Sequence, residues 1–192
     1  KKDVIEKILS YAEKNNILVI IDEAYIDFSG PSLATKIQDY ENLIIIRTMS
    51  KAFGLASLRI GFLISNANII NDLYKVKPVH EVSGVSAKIG SFLINDQSIK
   101  DEYLQSVLEG KKVLLDFFNE RNIKYIRTDA NFMFFKPNSS VDVDKIHKSL
   151  ESANILIKSQ YNVEPFKGYL RITIGDKLQM EKFCSSLDLI IK

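Results

Sequence analysis

The sequence predicts an α/β layer followed by a small α+β unit. Three short apolar runs of strand length, at 17–21, 43–46 and 60–64, alternate with segments of helical period. After residue 98 the pattern changes to one long charged helix, and then to shorter strand-like and helical pieces.

The elements follow in order. Val4, Ile5, Ile8, Leu9 and Ala12 recur at helical spacing, and Asn15-Asn16 ends that helix. The run at 17–21 is continuous and rich in β-branched residues, as expected of a buried parallel strand. The runs at 43–46 and 60–64 read the same way, with helices expected over 33–40, 68–76 and 86–93. Ile99, Tyr103, Val107, Leu114 and Phe118 mark one face of a long helix over 98–119, read as a connector. Beyond it the sequence predicts strands at 124–127 and 132–135, a helix over 143–152, and strands at 155–157 and 169–174. A last helix opens with Asp176-Lys177-Leu178-Gln179, a cap residue with glutamine at the third helical position. Its apolar stripe is Met180, Phe183, Cys184, Leu187 and Ile190. The expected division is 1–97, a connecting helix over 98–119, and a small domain over 120–192.

A length of 192 residues suffices for one good core or two modest ones, and 46% hydrophobic with 26% charged residues is globular. The net charge is +2, with lysines scattered among acids, so a solvated surface is expected and no nucleic-acid partner. The single cysteine, Cys184, excludes an intramolecular disulfide and a cysteine-based metal site, and it is expected in the core. No signal peptide and no apolar stretch near the ~20 residues of a membrane span occurs, so a cytoplasmic protein without a membrane partner is expected. Neither His80 nor His147 has a second ligand at metal spacing, and no metal is expected. His147 is expected on the surface of a helix, and His80, in a loop after Pro78, is a candidate to approach a substrate.

The chemistry concentrates in two places. Asp22 closes an apolar strand, and ligands of parallel α/β sheets bind beyond the carboxyl ends of strands. A carboxylate there can hold a proton on a pyridine nitrogen, and Tyr25 can hydrogen-bond a ring oxygen. Lys51 follows the second strand, where partial desolvation would free its amine as nucleophile and base. Thr48 and Ser50 offer hydroxyls beside it, and Arg59 offers a planar fork suited to phosphate. A Schiff-base lysine, phosphate donors and a carboxylate for the ring nitrogen, in this order, point to pyridoxal 5'-phosphate. Arg171 is a lone cation inside an apolar strand, which favours an anionic ligand beside it.

These residues carry a resemblance. Asp22-Glu23-Ala24-Tyr25 and the run from Thr48-Met49-Ser50-Lys51-Ala52-Phe53-Gly54 through Arg59-Ile60-Gly61-Phe62 are similar to the DEAY and TLSKAFGLAGLRxGY segments of the histidinol-phosphate aminotransferase-like branch of the fold-type-I pyridoxal-phosphate enzymes. Tyr169-Leu170-Arg171-Ile172-Thr173-Ile174-Gly175 looks like that branch's LRITxG strand. The resemblance implies a large domain with a mainly parallel sheet and helices on both faces, of which 1–97 is the C-terminal part, then a small C-terminal domain. It implies an aminotransferase that moves an amino group from a small-molecule donor to a keto or aldehyde acceptor, working as a homodimer. By the same resemblance Lys51 bonds the cofactor aldehyde, Asp22 and Tyr25 hold the ring, Thr48, Ser50 and Arg59 hold the phosphate, and Arg171 binds the substrate carboxylate. Lys158 stands near where many members carry an arginine, and the 77–84 stretch lacks the Tyr-Asn-Val-Asn type of sequence. Both departures weaken histidinol phosphate as the substrate and leave the cofactor expectation in place. The resemblance covers only the last half of the branch, so the chain is expected to be a fragment, inactive alone and poor at binding cofactor. Two alternatives stay open: a decarboxylase of a phosphorylated amino acid, and a non-catalytic α/β module in which Lys51 is only structural.

Overall fold

The computed structural model describes residues 2–138, 141–158 and 164–192, in two compact units, Lys1–Lys100 and Asp101–Lys192. In the first unit, helix α1 (Lys2–Lys14) buries Leu9 and Ala12. Strands β1 (Val19–Asp22), β2 (Leu43–Thr48) and β3 (Gly61–Ile64) form one sheet in that order. β1 runs parallel to β2, and β3 runs antiparallel to it. The register sets Asp22 beside Ile46 and Thr48 beside Gly61.

One face of this sheet is well packed. Leu9, Leu43 and Ile45 form a core joined by Ile5, Val19, Ile21, Leu33, Ile37, Tyr40 and Ile64. The other face keeps Ile20 at 57% and Leu63 at 42% exposure, so β1 and β3 are not buried on both sides as their apolar runs predict. The expected helix over 33–40 is a 3₁₀ turn, Ala34–Gln38. Glu23 accepts the Leu33 N–H and Ser32 Oγ accepts the Ala34 N–H, which fixes a tight entry that suits a short 3₁₀ piece. Helices α2 (Ala67–Tyr74) and α3 (Gly84–Asn95) follow, capped by the side chains of Asn66 and Ser83. A second core of Met49, Ile60 and Leu93, with Phe53, Leu55 and Leu58 around it, lies where α3 meets the segment between β2 and β3. Gly90 makes that approach possible, since a Cβ there would overlap Ile60 Cδ1.

In the second unit, β4 (Lys124–Ile126), β5 (Phe132–Lys136) and β6 (Leu170–Thr173) form an antiparallel sheet in chain order. Met133, Phe135, Leu170 and Ile172 make its buried face. α4 (Ser98–Glu120), which spans the boundary of the units, buries Val107, Gly110, Leu114 and Phe118. α5 (Val143–Ser152) adds Ile146 and Leu150 to the buried set, and α6 (Lys177–Ile191) adds Met180, Phe183, Cys184 and Leu187. The Asp176–Gln179 pair forms a reciprocal capping box at the start of α6. Arg121 pairs with Asp188, which Lys192 also reaches, and these two cations hold the Asp188 carboxyl well below the usual range. The strand expected at 155–157 is absent. Leu156 is 83% exposed, and the segment contributes one bridge, Lys158 to Arg171. His147, expected on the surface, is half-buried, with Nε2 3.1 Å from the Ile157 carbonyl. Among the described residues, no helix is long and apolar enough to cross a membrane, and no acidic, histidine and cysteine cluster could hold a metal.

Two expected outcomes test this packing. Gly110 lies mid-helix, where alanine ordinarily stabilises by about 1 kcal/mol. Here a Cβ would fall inside van der Waals contact with the Gly175 carbonyl, which is backbone and cannot rotate away. Gly110→Ala is therefore expected to destabilise by about 1–3 kcal/mol, read as a lowered urea midpoint. An unchanged or raised midpoint would contradict this packing.

Burial pushes the Cys184 thiol up to about 12. The raised value favours the neutral form in the folded state, so folded-state stability is unaffected below pH 9 and falls as pH rises from about 9 to about 12. At pH 8 a disulfide reagent is expected to label Cys184 only at the rate of unfolding. Rapid labelling of native protein would overturn the assignment to the core.

Candidate active site

The first unit gathers its polar side chains at one edge of its sheet. Because β1 and β2 are parallel, their carboxyl ends lie on the same side. Asp22 ends β1 and Tyr25 follows within the next turn, while Thr48 ends β2 and Ser50 and Lys51 follow it. Arg59 enters from the segment before β3, whose first residue, Gly61, pairs with Thr48. All six residues expected to hold a cofactor thus come from strand ends or loops at one sheet edge.

Local bonding fixes several of them. Asp22 Oδ1 accepts the Ala24 N–H at 2.9 Å, which bends the chain away from the strand and leaves the carboxylate exposed. Lys51 Nζ lies 5.2 Å from the centroid of the Tyr25 ring, a cation–π distance that brings the lysine and tyrosine of the two strand ends together. Thr48 Oγ1 accepts the Ser50 N–H at 3.1 Å and lies 2.9 Å from Ser50 Oγ and 3.2 Å from the Ile60 carbonyl. The two hydroxyls therefore sit side by side. Met49 holds the loop closed, donating to the Ile60 carbonyl and accepting from the Leu55 N–H. Gly54 (φ +67°) makes the turn after Lys51, donating to the Lys51 carbonyl. Arg59 also lies in the left-handed region (φ 54°, ψ 39°), exposed, with Nη1 on the Ala56 carbonyl.

Four side chains that carried no role in the sequence reading support this edge. Glu23 is 4% exposed, accepts from Ser32 Oγ and the Leu33 N–H, both at 2.6 Å, and so pins the chain beyond Tyr25. Arg47 pairs with Asp27 at 2.9 Å, and Lys100 reaches the same oxygen at 3.7 Å. Arg47 precedes Thr48 and Asp27 follows Tyr25, so this pair ties the two site-bearing loops together. One signal for Arg47 was available: like Arg171, it is a cation within an apolar strand.

In the second unit Arg171 and Lys158 face each other across an antiparallel bridge and exchange backbone hydrogen bonds of 2.9 and 3.0 Å. Directly opposed residues put their side chains on the same face, so two cations stand together there. The Arg171 guanidinium carbon lies 3.9 Å from the Phe132 ring centroid. His80 is exposed in the segment before α3.

The family of aminotransferase class I and II is matched over residues 1–187. The chain belongs to that family. Histidinol-phosphate aminotransferase of Clostridium novyi (strain NT) is 35% identical over 173 residues, 90% of this chain and 48% of that protein. The chain spans about half the length of the curated relatives it matches. The crystal structure of histidinol-phosphate aminotransferase from Clostridium acetobutylicum superposes with a TM-score of 0.89 at 24% identity, over 99% of this chain and 59% of that one. That of Sinorhizobium meliloti, solved with pyridoxal-5'-phosphate, gives 0.82 at 22% identity, over 97% and 52%. L-Threonine-O-3-phosphate decarboxylase from Porphyromonas gingivalis shares the fold as well, with a TM-score of 0.80 at 19% identity over 96% and 57%. The α/β class expected from the sequence is thus the fold of these aminotransferase-family structures.

The Asp27 carboxylate answers two cations, so Asp27→Asn is expected to destabilise the protein by about 1–3 kcal/mol, measured by urea unfolding. A change below about 0.5 kcal/mol would show that the pair is not what ties the loops.

Proposed function

We propose that this chain belongs to a pyridoxal-phosphate-dependent aminotransferase acting on a small amino acid or phosphorylated amine. The observation that carries the reading is the single sheet edge that collects Asp22, Tyr25, Thr48, Ser50, Lys51 and Arg59, with Lys51 Nζ over the Tyr25 ring. Its donor set fits the cofactor: neighbouring hydroxyls and a guanidinium for a dianionic phosphate, a carboxylate for a pyridine N–H, a phenol for a ring oxygen, and an amine for the aldehyde. When bound, pyridoxal phosphate supplies an aldehyde that captures an amine and a ring that withdraws electrons from the amine-bearing carbon.

Each residue then has a defined task. Thr48 and Ser50 would donate hydroxyl hydrogen bonds to the phosphate, and Arg59 would supply charge-assisted N–H bonds to it. Asp22 would hold the proton on the ring nitrogen, and Tyr25 would orient the ring through its hydroxyl. Lys51 Nζ would hold the cofactor by its aldehyde carbon and, once freed by a substrate amine, would carry the proton lost from the substrate's α-carbon to the cofactor carbon. Arg171 and Lys158 bind the anionic group of the substrate. We read 1–97 as the C-terminal part of the cofactor-binding domain, 98–119 as the connecting helix and 120–192 as the small domain. The whole enzyme is read as a cytoplasmic homodimer that uses a small-molecule amino donor and a keto or aldehyde acceptor.

The test uses the whole protein saturated with pyridoxal phosphate and incubated with L-glutamate, histidinol phosphate, O-phosphoserine or O-phosphothreonine, each with and without a 2-keto acid. Amino transfer that requires the keto acid is expected, with no carbon dioxide released. Release of carbon dioxide without keto acid would replace this reading with decarboxylation. Lys51→Ala is expected to remove both turnover and the visible absorbance of the lysine-bound cofactor. A variant that keeps its colour and wild-type turnover would sink the assignment of Lys51.

A further inference from the structure

We infer that Phe132 is a positioning residue that presents Arg171 to the substrate's anionic group, an inference that rests on the anion-binding role of Arg171 proposed above. Arg171 lies on β6 opposite Phe134, and Phe132 pairs with the next-but-one residue, Thr173. Phe132 and Arg171 are therefore diagonal neighbours on one face of the sheet, the face opposite the Met133, Phe135, Leu170 and Ile172 core. At 3.9 Å from the ring centroid, the guanidinium carbon is in direct contact with the π-face of Phe132.

The kind of contact matters. A carboxylate partner would occupy the N–H donors of Arg171, whereas an aromatic face takes up one side of the guanidinium plane and leaves the donors at its edge available. Among the described residues no carboxylate pairs with Arg171. An arginine side chain loses rotamer freedom on gripping a ligand, and a ring packed against its guanidinium removes part of that loss beforehand.

Phe132 is itself held firmly enough to do this. It meets Phe134 edge to face at 5.8 Å, and Phe134 stacks on Phe166 at 4.7 Å. The preceding residue, Asn131, is 9% exposed. Its Nδ2 reaches Tyr103 Oη at 3.2 Å, and its carbonyl accepts the Ile174 N–H at 2.8 Å. Both strands beneath the Phe132–Arg171 contact are thus fixed at the same level. Lys158, opposite Arg171 in the bridge, adds a second positive charge that leaves Arg171 better matched to an anion than to another cation.

The experiment is a double-mutant cycle on the whole, cofactor-loaded enzyme, with L-glutamate as the probe. The variants are Phe132→Leu, Phe132→Tyr, Arg171→Ala and Phe132→Leu/Arg171→Ala, each first checked for an unchanged urea midpoint. Phe132→Leu is expected to raise the KM for L-glutamate about threefold to tenfold with kcat within about twofold, the size of a cation–π contact. Phe132→Tyr, which keeps the π-face, is expected to restore KM to within about twofold of wild type. In the Arg171→Ala background the leucine change is expected to add nothing further. A Phe132→Leu enzyme with wild-type KM, beside an Arg171→Ala enzyme with a greatly raised one, would overturn the positioning role and leave the reading of Arg171 standing. An equal leucine effect with and without Arg171 would also overturn it, since Phe132 would then act by another route. If Arg171→Ala leaves KM unchanged, the anion-binding reading of Arg171 fails, and the inference fails with it.

Discussion

The parallel pairing of β1 with β2 is the constraint on which the candidate site depends. An antiparallel pair would send Asp22 and Thr48 to opposite ends of the sheet. The parallel register instead sets Asp22 beside Ile46, two residues before Thr48, so both strands deliver their polar residues to one edge. The antiparallel return of β3 then brings Gly61 to Thr48 and carries Arg59 back to the same edge. Packing of Met49, Ile60 and Leu93 holds the intervening loop. The roles proposed for these side chains could not be served together if the strands were paired otherwise.

Polar cross-links reinforce what the register begins. Buried Glu23 fastens the chain after β1 to Ser32 and Leu33, and Asp27 fastens it to Arg47 on β2. These bonds connect residues immediately beside Tyr25 and Thr48, and so tie the chain after β1 to β2. The second unit solves a different problem. Its sheet buries one face against apolar helices and leaves on the other a pair of cations beside three phenylalanines, Phe132, Phe134 and Phe166.

Much of this was legible in the sequence, and the failures have physical causes. Elements with both a period and a punctuating residue were readable: α5 spans Val143–Ser152 as expected, and the Asp176–Gln179 box starts α6 where its pattern says. The six residues at the sheet edge were readable as candidates because each lies at a strand end or in the loop that follows or precedes one, where parallel α/β sheets place ligands. Apolar composition misled where it stood alone. The run at 155–157 is as apolar as a strand, but it forms none; among the described residues the bridge beside it falls at Lys158, and Leu156 faces solvent. The runs forming β1 and β3 gave no sign of the exposed second face. Contacts across long separations in sequence, Asp27 with Lys100 or Arg171 with Phe132, have no local signature and needed the fold.

On the proposed reading, in which it holds a cofactor phosphate, Arg59 places chemistry and stability in opposition. Its left-handed backbone is a conformation that glycine adopts freely and that costs other residues roughly 1–2 kcal/mol. A selection for heat resistance alone would favour glycine at this position, and would discard the guanidinium that the proposed function assigns to the phosphate. The same trade runs in reverse for an ancestor or a designed variant: acquiring the anion grip there requires stability in reserve elsewhere in the unit. Thermal robustness and cofactor affinity are therefore expected to diverge first at this residue when the sequence drifts.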